Sequence, residues 1–585
     1  MIKKLIRQML AAQTLSALTV SLCLLIDSII IGQYLGEEAI AAYGLANPIL
    51  LIIGAVGSVL AAGVQVVCSK SIGRGSQQET NAGFSSAIGL VILVSVPFMA
   101  LVLAFASPLA RLMGASGGSL FDHTRSYMTG FIIGAPATMG ALILVPFLQM
   151  AGQNGLLIAA VGTMTVADIV LDLLNVLVFH GGMFGMGLAS SLSYYAALVV
   201  GGIYFFSKKC PFKFSRKLVT GAKIKELMQR GIPAVFSMAS SVVLVFVMNR
   251  ILLGVGGAAA VAAFSVISTI GNASNCITTG VGGVSLTLSG VFYNEEDRLG
   301  LRTLIGELGR WSVILGASVG IFLIVLAPLA VSLFLAGGGA ADLATLGLRI
   351  YALGLIPCCL NGTLKNAYQG TDRERFTEII SMAEGAVLPV LAALLLSALF
   401  GTVGAWFYFL CGETLTFLGI CLFSRRRTGE KPWKEDAILM LPEDFSVVSE
   451  ELVETDIRSL SDVTTASESA GRFCLERGQN RRISNRIALC VEEMAANVVE
   501  HGFSSDQKDH HLSVRVMNKN DRWIIRFRDD CGAFDPVNYV PSADNEDTLG
   551  IRLVLGLADE IHYTYSMSLN NLMIVLNSDT ISKME

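Results

Sequence analysis

The chain has 585 residues, of which 53% are hydrophobic and 15% are charged, and its mean hydropathy is +0.63. This composition is too apolar for a protein that lies wholly in water. Residues 1–429 hold 26 Lys and Arg against 18 Asp and Glu, whereas residues 430–585 hold 16 against 28. The sequence therefore predicts a basic membrane domain followed by an acidic soluble domain, and it excludes a protein confined to either environment.

About twelve apolar stretches in the first part approach or exceed the ~20 residues that cross a bilayer. They lie near 11–34, 43–68, 84–107, 127–151, 156–179, 185–207, 231–255, 259–290, 311–336, 346–369, 377–400 and 402–424. Buried helices of a large soluble core would need much more amphipathic surface than this region has. We predict a polytopic α-helical membrane bundle over residues 1–428.

Lys and Arg concentrate in the even-numbered loops between these stretches. The loop at 207–230 is the densest, and the chain leaves the last stretch through Arg425, Arg426 and Arg427. The positive-inside rule then places both termini in the cytoplasm, in a multi-pass protein of the cytoplasmic (inner) membrane. No cleavage site follows the basic start of the chain, so the first stretch is predicted to be retained.

The membrane domain contains an internal similarity. Residues 28–49 and 249–270 both run from an apolar helix through a Gly-rich turn into an Ala-rich helix. The similarity predicts two six-helix halves, near 1–215 and 216–428, related by a parallel repeat. Many secondary transporters are duplicated in this way, and their binding sites lie between the repeats.

Three carboxylates lie inside the membrane stretches. Asp27, Asp168 and Asp172 would each cost roughly 2.5 to 3.5 kcal/mol at the bilayer centre, so such residues usually face a cavity and bind ions, protons or cationic substrates. Asp168 and Asp172 are one helical turn apart and share a face. Two desolvated carboxylates that close should not both be charged unless a cation lies between them. The spacing therefore predicts a site whose charge depends on ion occupancy.

Several motifs follow one another in a family-specific order. They are IDSIIIG at 26–32, AAYGLANP at 41–48, Asp168 with Asp172, GIP at 231–233 and YQG at 368–370. In this order they resemble the multidrug and toxic compound extrusion (MATE) transporters over roughly residues 5–425. The resemblance implies antiport in which Na⁺ or H⁺ enters as cationic or amphipathic small molecules leave.

The resemblance also implies roles for individual residues. Asp27 and Asp172 would couple ion and substrate and could hold Na⁺, and the hydroxyl of Ser190 would lie near the ion. The position of Asp168 is usually Asn in the family, so this chain carries an extra carboxylate, which leaves both Na⁺ and H⁺ open. Glu384 and Glu413, in the last two stretches, are further candidates for binding a substrate cation.

A soluble α/β sandwich is predicted over residues 445–585, after a linker at 429–444. A helix-period stretch covers 483–499 and a shorter one 551–558, and strand-like segments lie at 512–517, 523–528, 561–565 and 572–576. Glu493 and Asn497 share one face of the longer helix. A carboxylate with an amide oxygen can orient water and hold Mg²⁺.

Three segments of this domain form an ordered set: EEMAANVVEHG at 492–502, DDCGAFDP at 529–536 and LGIRLVLGLADEIHY at 549–563. The set resembles the ATP-binding domain of histidine kinases and, more closely, anti-sigma-factor serine kinases. The resemblance implies ATP and Mg²⁺, with Glu493 as a candidate base, Asn497 as a Mg²⁺ ligand and Asp530 as the partner of adenine. Gly532 permits close approach of the base, and Gly550 stands where the family often has Gly-x-Gly.

Three functions fit these patterns. The first is a cation-coupled antiporter that exports cationic or amphipathic compounds and is regulated by a cytoplasmic nucleotide-binding domain. That domain could also act as a kinase or contact a cytoplasmic regulatory protein. The alternatives are a membrane-anchored serine-kinase-like sensor and a flippase for lipid-linked substrates. An ATP-driven pump is disfavoured because the chain has no G-x-x-x-x-G-K-[ST] motif. The acidic tail predicts no nucleic-acid partner, and the substrate and oligomeric state stay open.

Overall fold

A computed structural model describes most of the chain. The described residues are 2–115, 117–207, 210–335, 338–431, 434–442, 445, 452–504, 509–519, 522–539 and 549–577. Parts of the predicted linker at 429–444 lie outside these residues.

The first 428 residues form a helical bundle, the arrangement that pairs most backbone polar groups within the helices, as a bilayer requires. Its helices are α1 Ile2–Ile30, α2 Glu37–Gly73, α3 Gln77–Ala104, α4 Ala106–Leu112, α5 Gly118–Ile132, α6 Ala135–Met150, α7 Asn154–Leu174, α8 Gly182–Gly202, α9 Gly221–Ser274, α10 Cys276–Asn294, α11 Arg298–Ser332, α12 Gly339–Leu353, α13 Leu355–Gly370, α14 Glu374–Met382, α15 Leu388–Ala405 and α16 Tyr408–Thr428. Short π-helical turns cover Ile31–Leu35, Asn175–Phe179 and Ala383–Val387.

Helices lie over all twelve of the predicted apolar stretches. Within the described residues, eight helices are long and apolar enough to cross a membrane, and two bent helix pairs bring the number to ten. The helices over the first and last predicted stretches, α1 and α16, complete the bundle. The predicted polytopic membrane bundle is therefore confirmed.

The two halves repeat the same backbone features. Gly36 adopts positive φ at the turn between α1 and α2, and Gly257 does so at a break that divides α9 into two helices. Gly117 and Gly338 adopt positive φ before the bent pairs. Both glycine pairs are 221 positions apart. The bent pairs themselves, α5 with α6 and α12 with α13, turn by 49° and 45°. The positions of these features agree with the parallel repeat that residues 28–49 and 249–270 predict.

The halves contact each other at the end of the bundle where the chain leaves α16, here called the domain-bearing end. Lys70, at the end of α2, is buried and forms ion pairs with Asp372 and Glu374 of the other half. Arg230 reaches the same two carboxylates. Both halves thus share one ionic network at this end.

A short helix, α17 (Glu435–Leu439), lies within the predicted linker and binds the C-terminal half. Arg302 Nε donates to Asp436 Oδ1 at 2.7 Å, and the guanidinium of Arg373 donates to the carbonyl groups of Leu439 and Met440. The linker is therefore held against the bundle through side-chain and backbone contacts.

The C-terminal domain is an antiparallel sheet covered on one face by helices. Its elements are β1 Leu452–Ile457, α18 Leu460–Glu476, α19 Arg481–Asn497, β2 Leu512–Lys519, β3 Arg522–Asp529, α20 Leu549–Leu557, β4 Glu560–Ser566 and β5 Leu569–Asn577, with strand order β1-β2-β3-β5-β4. A capping box at Ser459 and Asp462 starts α18. The predicted α/β sandwich is confirmed, and β1 and α18 are additions to the predicted elements.

Alternation along the strands separates the two faces of this sheet. Trp523, Ile525 and Phe527 on β3 are buried in one apolar cluster with α18 and α19. Their neighbours Arg526 and Arg528 point to the opposite face, away from that cluster. The sheet therefore has one apolar face under the helices and one face that carries arginines.

Candidate functional site

The three membrane carboxylates come together in the N-terminal half. Asp27 on α1 lies next to both Asp168 and Asp172 on α7, close enough for the carboxyl groups to interact directly. All three are buried, with exposed fractions of 4%, 3% and 0%. The predicted sharing of one helix face is what brings the two α7 residues to the same partner.

Several oxygens of this carboxylate cluster have no hydrogen-bond partner among the described residues. They are Asp27 Oδ1, Asp168 Oδ1 and both carboxylate oxygens of Asp172. An unpartnered buried acceptor costs free energy unless it binds a proton or a cation. Hard oxygen donors are also the ligands that Na⁺ accepts from proteins. The cluster therefore fits the predicted coupling ion, whether that ion is Na⁺ or H⁺.

Hydroxyl and thiol groups surround the cluster. Ser193 on α8 and Cys23 on α1 lie beside the Asp168 carboxyl. The predicted Ser190 is one turn earlier on α8, where its hydroxyl donates to the carbonyl of Met186 at 3.4 Å. Ser193 was not singled out in the sequence, although it shares a helix with Ser190 and only the packing of α7 against α8 distinguishes them.

A second group of polar side chains, buried or largely buried, lies in the C-terminal half. Lys365 on α13 pairs with Glu384, and Glu413 on α16 accepts a hydrogen bond from Asn361 Nδ2 at 2.7 Å. Lys365 lies near the end of the predicted apolar stretch 346–369, and α13, which runs to Gly370, carries it into the bundle. The predicted candidate Glu384 therefore already has a cationic partner within the chain.

Replacing Lys365 by Met should destabilise the protein by about 3 kcal/mol, because removing one member of a buried ion pair leaves the other charge uncompensated. The side chains of Lys365 and Glu384 are only 17% and 11% exposed. Thermal unfolding of the purified protein in detergent measures the effect. The double variant Lys365→Met/Glu384→Gln should recover most of the loss, and a single variant as stable as the wild type would show that the pair does not contribute.

A cavity of about 460 Å³ opens in the C-terminal domain between α19, α20 and the sheet. Its walls are largely apolar, with a few polar groups that converge on it, as is typical of a ligand site. The lining residues are Met494, Asn497, Val498, His501, Gly502, Phe527, Asp529, Cys531, Gly532, Ala533, Phe534, Pro536, Tyr539, Ile551, Tyr563, Asn570 and Leu572.

Asp529, rather than the predicted Asp530, is the acidic residue of this cavity lining. Asp529 Oδ1 accepts hydrogen bonds from Asn570 Nδ2 at 2.8 Å and from the backbone N–H of Cys531 at 3.0 Å. Asp530 Oδ1 instead accepts from the backbone N–H of His511 and lies 3.2 Å from His510 Nδ1. Strand alternation turns two consecutive aspartates in opposite directions, and the register of β3 decides which one faces the cavity.

The other predicted nucleotide-binding residues lie in or beside the cavity. Asn497 and Gly532 line it. Glu493 is one turn before Asn497 on α19, and its carboxylate lies against Gly550, where an added Cβ would meet Glu493 Oε2 at 2.0 Å. Gly550 therefore permits α20 to approach α19 closely. A buried carboxylate for an exocyclic amine and an amide for Mg²⁺ fit the implied ATP and Mg²⁺.

Adenosine affinity should fall as the pH is lowered and Asp529 becomes protonated. The fall should occur at a higher pH than it would for an aspartate with an ordinary pKa. Burial raises the pKa of Asp529, an effect that the hydrogen bond from Asn570 only partly offsets. Protonation converts an acceptor for the adenine amine into a donor, so affinity is retained above the raised pKa and lost below it. Calorimetric titration with adenosine, which has no titrating phosphate, measures this; Asp529→Asn should show a flat profile over the same range.

Comparison with known proteins agrees with this architecture. The MatE family model matches residues 13–174 and again 233–395, once in each half. Residues 458–576 match the histidine kinase-like ATPase domain model. The chain belongs to the MatE family, and it carries a histidine kinase-like ATPase domain behind the membrane bundle.

Solved transporters share the fold of the bundle. An outward-facing multidrug resistance MATE family transporter of the MOP superfamily is 19% identical, with a TM-score of 0.68, covering 75% of this chain and 97% of its own. A MOP superfamily transporter from Pyrococcus furiosus is 20% identical, with a TM-score of 0.66 and coverage of 73% and 96%. A mutant of a Vibrio cholerae MATE transporter is 16% identical, with a TM-score of 0.66 and coverage of 75% and 99%.

A further relative matches a smaller part of the chain. A FAD transporter of Shewanella oneidensis is 26% identical over 216 residues, which are 35% of this chain. The match spans about half of the length of that relative, 47%.

Proposed function

We propose that the protein is a cation-coupled antiporter that exports cationic or amphipathic small molecules, and that its C-terminal domain binds ATP and regulates transport from the cytoplasmic side. The observation that carries the proposal is the cluster of Asp27, Asp168 and Asp172, three buried carboxylates in contact with unpartnered oxygens. A cluster of this kind costs stability in a bilayer and is retained where it binds something.

The cluster supports coupling because it cannot hold three charges without compensation. Either a proton or Na⁺ reduces its charge, and a cationic substrate competes for the same carboxylates. Entry of the coupling ion therefore favours release of the substrate cation, which is the exchange that an antiporter performs. An ion gradient drives the cycle, and each charge that crosses 100 mV supplies about 2.3 kcal/mol.

The C-terminal cavity supports nucleotide binding as the second part of the proposal. Asp529 would accept from the adenine amine, Asn497 would hold Mg²⁺, and Glu493 is placed one turn away as the candidate base. Bound ATP with Mg²⁺ would supply a transferable phosphoryl group. In the proposed function the domain acts by binding nucleotide, and phosphorylation of a partner is an additional activity that Glu493 would serve.

Ethidium efflux from proteoliposomes tests the transport proposal. Reconstituted full-length protein should release the dye when an inward Na⁺ or H⁺ gradient is imposed, and the gradient that drives release identifies the coupling ion. Dye release that is independent of both gradients would contradict antiport. Persistent binding of ATP in that case would favour the membrane-anchored kinase-like sensor.

Flavin export is a second candidate, favoured by the similarity to the FAD transporter of Shewanella oneidensis. The same proteoliposomes, loaded with FAD instead of ethidium, separate the two substrates. Efflux of FAD without efflux of the cationic dye would replace the first candidate by the second. The acidic cluster favours the cation, because an anionic flavin dinucleotide would be repelled by it.

A further inference from the structure

The C-terminal domain binds an acidic loop of the C-terminal half of the bundle. This loop, residues 295–297 between α10 and α11, presents three consecutive carboxylates. Arg528 pairs with Glu295, and Arg515 Nη1 lies 2.8 Å from Asp297 Oδ1. Asp297 is fully buried and its other oxygen lies 3.4 Å from Arg528. The acidic loop and the arginine-bearing face of the sheet therefore form one buried ionic contact.

The charges of the sheet face require this contact. Arg515 and Arg526 are direct partners across strands β2 and β3, and like charges in that position repel. Burial lowers the pKa of Arg526. For Asp297 burial alone would raise the pKa, but Arg515 and Arg528 outweigh it and the pKa is lowered, so this carboxylate stays charged. The acidic loop thus supplies counter-charges to the arginine face, alongside Glu454 of β1, which also pairs with Arg515.

A different part of the domain binds the N-terminal half. The turn between β4 and β5 reaches the loop after α6, where the N–H of Met567 donates to the carbonyl of Met150 at 2.6 Å and Ser568 Oγ donates to that of Gly152 at 3.0 Å. Met567 is buried in the apolar core of the bundle. Gly152 has φ +75°, and a Cβ there would lie 2.1 Å from Ser568 Oγ, so glycine is what allows the approach.

The contacted loops are related by the internal repeat. Gly75 and Glu296 both have positive φ and are 221 positions apart, so the loops after α2 and α10 are equivalent. His562 of β4 packs against the first, and the arginine face packs against the second. In the C-terminal half, Arg373 in the loop after α13 binds the linker helix α17. The C-terminal domain and its linker therefore contact corresponding loops of both halves.

A two-half transporter opens by moving one half against the other around a fixed site. At the domain-bearing end the halves are in contact through Lys70 and Asp372, and a body attached to both opposes their separation. The linker and the acidic loop attach the domain to the C-terminal half. The turn at Met567 and Ser568 gives it direct hydrogen bonds to the N-terminal half.

We propose that the C-terminal domain is a clamp that holds the two halves together at the domain-bearing end, and that the β4–β5 turn must leave the N-terminal half before that end opens. The clamp regulates the transport site, so its purpose rests on the proposed antiport. The geometry also indicates that nucleotide bound in the cavity controls the clamp. Asp529 and Asn570 line the cavity, while their neighbours Arg528 and Asn571 bond to each other at 2.9 Å on the docking face, on the same two strands.

Hydrogen–deuterium exchange of the full-length protein in nanodiscs tests the clamp without requiring transport. Ser568→Lys places a long side chain against Gly152, whereas Ser568→Gly, the matched control, suits the positive φ of 59° and removes only the hydroxymethyl group. The Lys variant should raise exchange at 150–153 and at the contact between the halves, 370–374, by at least about tenfold, equivalent to ~1.4 kcal/mol of lost docking free energy. The Gly variant should change both segments much less.

A charge exchange at the contact between Arg528 and Glu295 is the control for misfolding. Arg528→Glu should raise exchange at the same segments, and Glu295→Arg/Arg528→Glu should restore protection. A rise confined to 150–153, with 370–374 unchanged, would show docking without clamping and overturn the proposal, as would no rise at all. A saturating non-hydrolysable ATP analogue should change exchange at 150–153 in the wild type, and constancy would overturn control by nucleotide.

Ethidium efflux in the same variants separates this inference from the proposed function. Release of the clamp should accelerate gradient-driven efflux in Ser568→Lys. If the wild type transports no dye under any gradient while exchange responds as expected, the antiport proposal fails and the clamp stands. If efflux is normal in the wild type and unaltered in the released variant, the domain does not restrain transport.

Discussion

Asp172→Asn should reduce gradient-driven ethidium efflux at least about 100-fold, which corresponds to ~2.7 kcal/mol in the rate-limiting barrier. Asp172 is fully buried, and neither of its carboxylate oxygens has a partner among the described residues. An amide of the same shape can neither take up a proton nor supply a full negative charge to Na⁺. The measurement is dye release from proteoliposomes under separate Na⁺ and H⁺ gradients.

Asp168→Asn is the matched control, because it removes a carboxylate from the same face of the same helix and gives the residue usual at this position in MATE transporters. It should retain transport and change its ion dependence. Both variants should be at least as stable as the wild type, since each removes an uncompensated buried acid. Equal efflux in Asp172→Asn and the wild type would show that the carboxylate cluster is not the coupling site.

Asp529→Asn should weaken ATP binding about 10- to 100-fold, the loss expected when a hydrogen bond to a charged group worth ~1.5 to 3 kcal/mol is removed. Asp529 is the acidic residue of the cavity lining. Because it is buried, losing its hydrogen bond to the adenine amine is not offset by water. The preference for ATP over GTP should fall as well, because the carboxylate distinguishes an exocyclic amine from a carbonyl oxygen. Isothermal titration calorimetry of the full-length protein gives both affinities.

Asp530→Asn offers a control at the adjacent position with the same change of charge and shape. Its carboxylate lies beside His510 and His511, so ATP affinity should stay close to that of the wild type. The reverse pattern, with binding lost in Asp530→Asn and retained in Asp529→Asn, would restore the role that the sequence assigned to Asp530. It would also mean that β3 is displaced by one residue in the nucleotide-bound protein.

The membrane cluster could be predicted closely because its evidence is local. Carboxylates within apolar stretches are visible in any hydropathy profile, and four-residue spacing fixes a common helix face without knowledge of the fold. The meeting of Asp27 with Asp168 and Asp172 depends instead on how α1 packs against α7. Ser193 could not be separated from Ser190, because both lie on α8 and the choice depends on how that helix is rotated against α7.

The charged residues of the C-terminal half show where local evidence ends. Lys365 lies near the end of the apolar stretch 346–369 and has no visible partner in the sequence, yet α13 carries it to Glu384, and pairing of the two lowers the cost of burying either. The loop after the predicted stretch 259–290 likewise carries Arg298, Arg302 and Arg310, which the positive-inside rule counts as cytoplasmic charge. The adjacent acidic loop at 295–297 contacts the C-terminal domain. Its role could not be predicted, because its arginine partners lie more than 200 positions later in the chain.

By itself the sequence determined the two-part architecture, the duplicated bundle, the acid-bearing helices and the type of the C-terminal domain, because hydropathy, helical spacing and ordered motifs are properties of neighbouring residues. The tertiary structure alone decided which of two adjacent aspartates enters the nucleotide cavity and which loops receive the domain. Those choices depend on strand register and on ion pairs between distant segments, and their free energy exists only when the chain is folded.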